Sequence, residues 1–574
     1  MKQFLCLLLM IFPSLFRQPM VAQNPGCETC IAAVETFKSA VLGSDGLATV
    51  MTKLRSFFCS RMYPAILCTG MEELVFRPNY LTSLRTIDSE AVCSAIGVCI
   101  SRFVPDRDKD FVSRVTKDTP ASPKPNSAGR LLAPRKLLKL LTFGDVHIDF
   151  GYQENRTGVC DLPTCCRKEC VWANGSAQAA GKFGSIGICD LPQVVFDSFV
   201  DFARNEIDPD LMLYLGDNTA RNVWEITKND HLDATRYISN AVTERFLSGA
   251  KSKFYPTMGN HEGFPYDQFD VRGTTHQWIL DSAAEMWTPW LTPAALSEFR
   301  STGSYSQLHP GTSLRILAIN PFVMLNDNVY IWDDSTDPLD TLRWLERTLA
   351  ESERTHESVI ILSHVPPYTE PTNPHWSERY LALMERYAGI IKAQMFGHVH
   401  EGYFTVMKGQ DGGEAGIGHV NPALTTSQFI NPSFRVYEMD AETYEMTDYV
   451  EYRMNVSEAN KFGKARWYRA HRFTEFYGVP DMSRGSFELV KRKINEDPKF
   501  WRKTLTARYQ EGPLGEKMFN NTAIWKAKRC DYEEGSITSL AKCKGIMNAS
   551  TDVCYDYEFV RLMVCKPWRR LALY

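Results

Sequence analysis

The sequence has little that indicates a membrane-spanning or nucleic-acid-binding protein. Beyond Phe16 it contains no run of the roughly 20 apolar residues that a transmembrane helix needs. A formal net charge of -4 over 574 residues gives no reason to expect a nucleic-acid partner. Internal repeats are also absent. With 44% hydrophobic and 23% charged residues, the chain is typical of a globular protein with about two to four domains.

Residues 1–22 are typical of a secretory signal peptide. Lys2 precedes an apolar stretch, Phe4–Phe16, that is too short to span a bilayer comfortably. Cleavage is expected near Ala22, although the site lacks a clean small-x-small pattern, and a retained anchor is the alternative. Sequons in the remaining chain predict N-glycosylation at Asn155, Asn174, Asn455, Asn520 and Asn548. The expected location is therefore secreted, lysosomal or both.

The 16 cysteines agree with export. Cys6 would leave with the signal peptide, and the others form three groups: Cys27, Cys30, Cys59, Cys68, Cys93 and Cys99; Cys160, Cys165, Cys166, Cys170 and Cys189; and Cys530, Cys543, Cys554 and Cys565. In an exported protein such groups form disulfides, and zinc binding by cysteines is the alternative. The middle group has an odd number of cysteines, so one thiol remains, for which Cys170 is the candidate.

Changes in composition predict several domains. In order, these are a signal peptide (1–22), a helical cysteine-rich unit (23–103), a Pro-rich linker (104–136), a catalytic domain (137–445) and a mainly helical C-terminal domain (446–574). From Leu137 onward, short apolar runs end in polar residues and alternate with helical stretches, which predicts an α/β fold with a buried sheet. Ligands bind beyond the carboxyl ends of strands in such sheets.

Five of the apolar runs end in residues that can bind metal. These residues are Asp145 and His147, Asp217, Asn260 with the adjacent His261 and Glu262, His364, and His398 and His400. Residues i and i+2 of a strand point to the same side, so the two D-x-H and H-x-H pairs can each reach one point if strand geometry persists. One such motif is weak, but five in this order, with oxygen and nitrogen donors, predict a site for Zn²⁺, Mn²⁺ or iron.

The ordered motifs D-x-H, GD, GNHE, H and GHxH resemble those of the calcineurin-like metallophosphoesterases. The resemblance spans Lys136 to about Glu445 and implies two divalent cations, with Zn²⁺ the expected metal. It assigns one cation to Asp145, His147 and His400, the other to Asn260, His364 and His398, and makes Asp217 the bridge. A hydroxide activated by both metals would attack a phosphoryl group in line.

In the same family, catalytic roles would fall to residues beside the ligands. His261 would donate a hydrogen bond to the phosphate or a proton to the leaving oxygen, and Glu262 would orient it. A structural hydrogen bond within its own loop is the alternative role for His261.

The domain order and the stretches "CDLPTCCRKEC", "SHVPP" and "NPSFRVYEMD" are similar to the acid sphingomyelinase family. The first cysteine group resembles the saposin-like family, which implies an all-α domain that opens against lipid; a helical spacer that never contacts a membrane is the alternative. Together these resemblances imply the disulfides Cys27–Cys99, Cys30–Cys93, Cys59–Cys68, Cys160–Cys165 and Cys166–Cys189. Cys170 would then stay unpaired.

The family resemblance implies hydrolysis of sphingomyelin to ceramide and phosphocholine at a membrane surface. Arg221 departs from the family pattern, which usually has a histidine there that helps to protonate the leaving group. Arginine cannot donate a proton usefully but can bind phosphate, so either His261 is the only acid or the substrate has changed; a surface arginine that points away is the alternative. Phe434 replaces a frequent tyrosine, and a hydroxyl near the substrate would be missing.

Two other functions remain open from the sequence. One is a phosphodiesterase or phosphatase that acts on another lipid headgroup or on a nucleotide. The other is a non-enzymatic lipid-binding protein, against which the presence of all seven ligand residues argues.

Overall fold

The computed structural model describes most of the chain from residue 25 to residue 543. The described residues are 25–39, 64–95, 105–117, 136–173, 176, 178–248, 251–333, 336–369, 371–409, 413–520, 527–532, 535, 540 and 543. The predicted signal peptide lies outside them. No helix in these ranges is both long and apolar enough to cross a bilayer.

Strands in the described residues form two six-stranded sheets. They are β1 (Leu137–Phe143), β2 (Leu211–Tyr214), β3 (Lys253–Pro256), β4 (Tyr305–Leu308), β5 (Leu314–Ile319), β6 (Ser358–Ser363), β7 (Ile391–Phe396), β8 (Tyr403–Lys408), β9 (Glu414–Val420), β10 (Ser433–Asp440), β11 (Met446–Met454) and β12 (Trp467–Arg472). The first sheet has the order β12-β11-β10-β1-β2-β3, and the second has the order β4-β5-β6-β7-β9-β8.

Helices precede the sheets, connect their strands and follow them. They span Pro25–Phe37, Ala65–Gly70, Met71–Leu81, Thr82–Leu84, Ser89–Ala95, Pro105–Thr116, Gln193–Phe202, Ala203–Ile207, Lys228–Phe246, Gln277–Trp287, Pro293–Thr302, Thr341–Arg354, Pro374–Arg386, Val456–Phe462, Phe473–Tyr477, Arg484–Glu496, Pro498–Arg508 and Pro513–Phe519. Short 3₁₀ turns lie at Asn260–Glu262, Pro321–Val323, Val329–Ile331 and Pro338–Asp340.

The two faces of the first sheet bury different cores. Leu138 and Leu140 of β1 belong to the cluster that also contains Ile316 of the second sheet. Leu141 and Phe143 of the same strand face the other way, into a cluster with the helix Gln193–Phe202. This alternation follows from the two-residue period of a strand, and it explains why both faces are apolar. The α/β architecture predicted for the catalytic domain is confirmed.

Parallel pairing brings the strand ends together. The strands β1, β2 and β3 run parallel, as do β5, β6, β7 and β9. The antiparallel strands β10–β12 extend the first sheet, while β4 and β8 lie at the edges of the second. The metal-binding motifs follow β1, β2, β3, β6 and β7, so they lie at the carboxyl ends of parallel strands.

The sheet continues past the domain boundary predicted at residue 445. Both β11 and β12 pair antiparallel beyond β10, so residues 446–472 complete the first sheet. Helices dominate only from Phe473. The charged and aromatic composition of this segment does not indicate strands. Its strands form because their inward side chains pack on the rest of the sheet, which the local sequence cannot show.

Part of the predicted linker is a docked helix. Pro105–Thr116 packs on the helix Pro374–Arg386, with Val112 and Val115 buried. Arg114 donates to both carboxylate oxygens of Glu346, at 2.6 and 2.9 Å. Because proline, serine and lysine dominate the sequence after this helix, composition alone predicts a linker for the whole segment. The helix has a short apolar face, which the catalytic domain covers.

The N-terminal unit is helical in its described residues and carries the disulfide Cys30–Cys93. Cys27 and Cys68 are also disulfide-bonded, and the partners that the family resemblance implies, Cys99 and Cys59, lie outside the described residues. These features are compatible with a saposin-like domain, which stays a prediction.

The catalytic domain contains the disulfides Cys160–Cys165 and Cys166–Cys189, and Cys170 is a buried free thiol. The C-terminal region contains Cys530–Cys543, a pairing that the cysteine count left open.

The predicted glycosylation sites remain untested, although three are visible. Asn155 and Asn520 are exposed, whereas Asn455 is half-buried and its side chain accepts a hydrogen bond from the backbone of Glu458. Asn174 and Asn548 lie outside the described residues.

Phe434 lies in the apolar core and not beside a substrate. Its ring packs on Phe199 at 4.9 Å, Tyr452 at 5.3 Å and Trp467 at 5.4 Å between centroids. The side chain is fully buried in the cluster under the outer face of the first sheet. A tyrosine at position 434 would therefore direct its hydroxyl into this core and not toward a substrate.

Candidate metal centre

Five loops place seven potential ligands at one edge of the two sheets. Asp145 and His147 follow β1, Asp217 follows β2, Asn260 follows β3, His364 follows β6, and His398 and His400 follow β7. Six of these side chains are buried and His398 is half-buried. The structure therefore brings together all the ligand residues that the family resemblance implies.

The first cluster consists of Asp145, His147, Asp217 and His400. One possible ligand atom from each lies within 4.8 Å of the others. The Nε2 atoms of His147 and His400 are 3.1 Å apart. His400 Nε2 lies 3.3 Å from Asp145 Oδ1. Two carboxylates and two imidazoles at this spacing form a donor set suited to a divalent transition metal.

The second cluster consists of Asp217, His364, His398 and Asn260. The ligand atoms of the first three lie within 4.8 Å of one another. His398 Nδ1 is 2.9 Å from Asn260 Oδ1, so the amide oxygen faces the same point. The two clusters share one residue, Asp217.

One oxygen of Asp217 lies between the clusters. Asp217 Oδ2 is 3.3 Å from His147 Nε2 and 3.1 Å from His364 Nε2. The other oxygen, Oδ1, accepts a hydrogen bond from the backbone N–H of His261 at 2.9 Å. The position of Oδ2 is therefore that of an atom that two cations could share.

The ligand loops do not keep strand geometry. Asp145, His147, Asp217, His398 and His400 all have positive φ angles, of 50, 46, 65, 68 and 58°. Such conformations are uncommon for residues with a side chain, cost of order 1–3 kcal/mol each and cluster at functional sites. The i and i+2 pairs meet as predicted, but through left-handed turns and not through a continuing strand.

Gly259 allows the second and third loops to touch. A Cβ atom there would lie 2.1 Å from Asp217 Oδ1, well inside contact distance. Only glycine fits beside the carboxylate that joins the clusters.

Backbone carbonyls orient two of the histidines. His147 Nδ1 lies 2.9 Å from the carbonyl of Thr219, and His364 Nδ1 lies 2.6 Å from that of Leu215. With Nδ1 donating, each ring turns Nε2 toward the shared carboxylate, as in most metal-binding histidines. Main-chain acceptors cannot be identified from side-chain motifs, so the sequence offered no signal for them.

Asp267 orients the amide ligand. Asn260 Nδ2 donates to Asp267 Oδ1 at 2.8 Å, which leaves Asn260 Oδ1 facing His398. Burial and the nearby Asp327 raise the pKa of Asp267 well above its ordinary value. Asp267 was not predicted as a site residue, because it lies beyond the GNHE motif.

The residues present fit divalent cations. Asp145 Oδ2 is buried and makes no hydrogen bond within the described residues. His364 Nε2 is buried and faces Asp217 Oδ2 at 3.1 Å. Burial lowers the pKa of His364, but Asp217 and Asp145 outweigh it and raise that pKa to about 9. Burial raises the pKa of Asp217, yet His364 and His261 hold it well below its usual range. Without metal, protons thus supply the positive charge that these carboxylates require.

The His261 ring lies beside the clusters and contacts neighbouring rings. Its ring meets His147 edge-on at 4.7 Å and stacks on Tyr266 at 5.5 Å. Burial lowers its pKa to about 3, and its ring nitrogens make no hydrogen bond to any other described residue. The alternative role, a structural hydrogen bond, therefore has no support in the geometry.

Glu262 connects the loops that follow β2 and β3. Within the described residues it makes no hydrogen bond to the His261 ring. Its carboxylate accepts from the backbone N–H groups of Asp217 at 2.9 Å, Asn218 at 2.6 Å and Gly259. Burial raises its pKa to about 7. Glu262 therefore positions the bridging residue, and the role predicted for it, orienting His261, is not what its contacts indicate.

Arg221 is a buried partner of Asp190. Its backbone N–H and Nε donate to the Asp190 carboxylate at 2.7 and 2.9 Å, and Nη2 donates to it as well. Arg221 is 2% exposed, which excludes the surface-arginine alternative. Its charge helps to lower the pKa of His261, after burial and His147, so the guanidinium lies close to the site.

Comparisons with known proteins agree with this geometry. Residues 138–402 match the calcineurin-like phosphoesterase family, and residues 418–506 match the acid sphingomyelin phosphodiesterase C-terminal region. The chain is 27% identical to sphingomyelin phosphodiesterase B of Dictyostelium discoideum, over 82% of this chain and 74% of that protein.

Two further relatives are similar over more than half of the chain. The human sphingomyelin phosphodiesterase is 31% identical, over 71% of this chain and 65% of its own length. The cyclic GMP-AMP phosphodiesterase of Rattus norvegicus is 28% identical, over 61% of this chain and 79% of its own length.

Residues 138–402 therefore resemble the calcineurin-like phosphoesterases, whose motifs converge in the two ligand clusters. Within that class, the second matched region and the relatives make it a hydrolase of the sphingomyelin phosphodiesterase-like type. The enzyme prediction is confirmed, and the non-enzymatic alternative no longer applies.

Metal affinity should depend steeply on pH. The pKa of His364 in the metal-free fold is raised to about 9. The protonated imidazole therefore stabilises the metal-free fold fully below about pH 6.5, and this stabilisation is lost as the pH rises through 9. A metal must displace that proton, so the apparent Kd for Zn²⁺ should rise by up to about tenfold for each pH unit lowered from 9 to 6.5. Chelator competition at each pH measures this, and a pH-independent Kd would contradict it.

Loss of Arg221 should destabilise the fold. Arg221→Leu leaves the Asp190 carboxylate buried and unpaired, which should lower the free energy of unfolding by about 3–5 kcal/mol in urea titrations. The double variant Arg221→Leu with Asp190→Leu should recover most of that loss. A single variant as stable as the parent would show that the pair contributes nothing.

Proposed function

We propose that the protein is a Zn²⁺-dependent phosphodiesterase that hydrolyses sphingomyelin to ceramide and phosphocholine at membrane surfaces. The observation that carries the proposal is the position of Asp217 Oδ2, within 3.3 Å of one imidazole from each ligand cluster. The relatives named sphingomyelin phosphodiesterase support the choice of substrate. Mixed imidazole and carboxylate donors favour Zn²⁺.

The ligand residues would hold two cations. Asp145, His147, His400 and Asp217 would hold one, and Asn260, His364, His398 and Asp217 the other. When bound, such a pair lowers the pKa of a shared water and offsets charge on the phosphoryl oxygens during in-line displacement. The outer contacts of His147, His364 and Asn260 keep the donor atoms of all three directed inward before substrate arrives.

His261 would bind the phosphoryl group. A pKa of about 3 makes the ring neutral between pH 5 and 7, and a neutral imidazole can donate one hydrogen bond. This favours donation to a phosphoryl oxygen over transfer of a proton to the leaving group. Because the Asp190 carboxylate compensates the charge of Arg221, the pair would position the loop after Asp217 rather than stabilise developing negative charge.

The N-terminal helical unit would give the site access to lipid. A phosphodiester in a bilayer must be lifted toward a globular site, and a tethered lipid-binding unit raises its local concentration. The unit contacts the catalytic domain: Tyr80 Oη donates to the carbonyl of Asp327 at 2.8 Å, and Tyr330 Oη donates to Asn79 Oδ1 at 3.0 Å. A saposin-like role for residues 23–103 and a secreted or lysosomal location form part of the proposal.

A nucleotide diester is the second candidate substrate. The rat relative named as a cyclic GMP-AMP phosphodiesterase is nearly as similar as the human one, and Arg221 departs from the sphingomyelinase pattern. The cysteine-laced helical unit, which a nucleotide hydrolase does not need, favours lipid.

A substrate panel tests the proposal. We expect full-length protein supplied with Zn²⁺ to hydrolyse sphingomyelin vesicles with a higher kcat/KM than a nucleotide diester or a simple phosphomonoester, at pH 5 and at pH 7. Chelation should abolish turnover and zinc should restore it. A preference for the nucleotide would replace the proposed substrate, and no turnover of any substrate with two metals bound would overturn both candidates.

His261→Gln should separate phosphate binding from metal binding. We expect kcat to fall by about 10²–10⁴-fold while the zinc content stays at the parent value, because His261 belongs to neither cluster. The exposed His356 offers a matched control, and His356→Gln should retain full activity. A parent-like kcat for His261→Gln, or lost zinc, would refute the assigned role.

A further inference from the structure

The loop that carries His398 and His400 is held from outside the phosphoesterase domain. Gln510 Nε2 donates to the carbonyl of His400 at 2.9 Å, and the N–H of Gly402 donates to the carbonyl of Arg508 at 2.9 Å. The segment that makes these contacts begins at the end of the helix Pro498–Arg508. The C-terminal region thus contacts the backbone of a ligand residue directly.

Buried ion pairs lock this segment to the ligand loop. Arg508 is 1% exposed, and its Nε donates to Glu401, the residue after His400, at 2.5 Å. Its Nη2 pairs with Asp531, and Lys528 Nζ lies 3.0 Å from Glu401. Two cations and two carboxylates compensate one another in the interior, so the segment cannot leave without exposing unpaired charge.

The side chain of His400 lacks the acceptor that its neighbours have. His147 and His364 each direct Nδ1 at a carbonyl. His400 Nδ1, in contrast, is buried and makes no hydrogen bond within the described residues, and the same is true of Gln510 Oε1. A histidine that binds metal through Nε2 carries its proton on Nδ1, where it needs an acceptor.

We propose that Gln510 is a positioning residue for the metal ligand His400. Its Oε1 accepts the Nδ1 proton of His400 when Nε2 binds a cation, while its Nε2 holds the His400 carbonyl and so maintains the left-handed turn. Arg508 fixes the backbone from which Gln510 projects. The C-terminal region thereby completes the metal centre. Gln510 lies beyond both matched regions, which end at residues 402 and 506.

The proposal rests on the proposed metal centre but not on the identity of the substrate. Metal affinity is measured without substrate, so failure to hydrolyse sphingomyelin would leave it standing. Removing such an outer partner from a metal-binding histidine typically weakens metal affinity by about 10–100-fold.

Three variants of the full-length protein test the role, with Zn²⁺ alone as the probe. Gln510→Leu removes both hydrogen bonds at nearly constant size, Gln510→Glu keeps the acceptor oxygens, and Gln307→Leu is the control. Gln307 is also buried and hydrogen-bonded through its amide, to Thr292 and Trp290, but lies on β4 away from the ligand loops. Chelator competition gives the Kd of each of the two zinc ions.

We expect Gln510→Leu to weaken one zinc ion by about 10–100-fold and to leave the other unchanged. Gln510→Glu should restore tight binding, since a carboxylate oxygen accepts the same proton. Gln307→Leu should retain both parent affinities, which separates a general loss of packing from a specific effect. If Gln510→Leu does not fold, Gln510→Met replaces it.

Two outcomes would overturn the proposal. In the first, Gln510→Leu or Gln510→Met binds both zinc ions as tightly as the parent. In the second, Gln510→Glu binds zinc as weakly as the leucine variant, which would show that the acceptor atom is not what matters.

Discussion

A single carboxylate oxygen, Asp217 Oδ2, lies between the imidazoles of the two ligand clusters. Much of the surrounding structure keeps it there. The buried strand β2 carries the residue to the sheet edge, Gly259 leaves room beside it, and Glu262 holds its backbone N–H. An aspartate at the end of an apolar run is costly without positive partners, since a buried charge must be paired. In the metal-free fold the histidines are those partners.

The ligand loops store conformational strain that the rest of the fold must offset. Five ligands have left-handed backbone conformations, which a loop on its own would not maintain. Carbonyls of Thr219 and Leu215, the carboxylates of Glu262 and Asp267, and the C-terminal segment each hold one part of the arrangement. The site is therefore organised before a cation or a substrate binds, which lowers the reorganisation that catalysis requires.

The flanking regions serve the same centre from different sides. The N-terminal helices contact the catalytic domain through Tyr80, whose hydroxyl also accepts from Gln268, the neighbour of Asp267. On the other side, Arg508 and Gln510 hold the loop of His400. The match to the acid sphingomyelin phosphodiesterase C-terminal region covers residues 418–506, which include β10, β11 and β12 of the first sheet. Arg221, paired with Asp190, is the feature that most separates this chain from the sphingomyelinase pattern.

Features that depend on near neighbours and on ordered motifs are predictable from the amino-acid sequence alone. Apolar runs that stop at Asp145, Asp217 and His364 predict buried strands with ligands at their ends, and the family motifs name the ligand set. The disulfide Cys166–Cys189 and the free Cys170 also follow from cysteine count and resemblance. Local composition predicts helices for residues 446–472, but β11 pairs with β10 and β12 with β11, so strand pairing and not local pattern stabilises these strands.

Which distant groups meet at the site depends on how the sheets and helices pack. Three supporting residues come from remote parts of the chain or from beyond the motifs. They are Asp190, which pairs with Arg221, Asp267, which binds Asn260, and Gln510, which binds the backbone of His400. Phe434 also occupies the core and not the site. These contacts form when the sheets and helices pack, and their free energy comes from burial and pairing across long separations. Local sequence propensity does not indicate these contacts. The metal ligands are therefore predictable from the sequence, whereas most of the groups that hold the ligands in place are not.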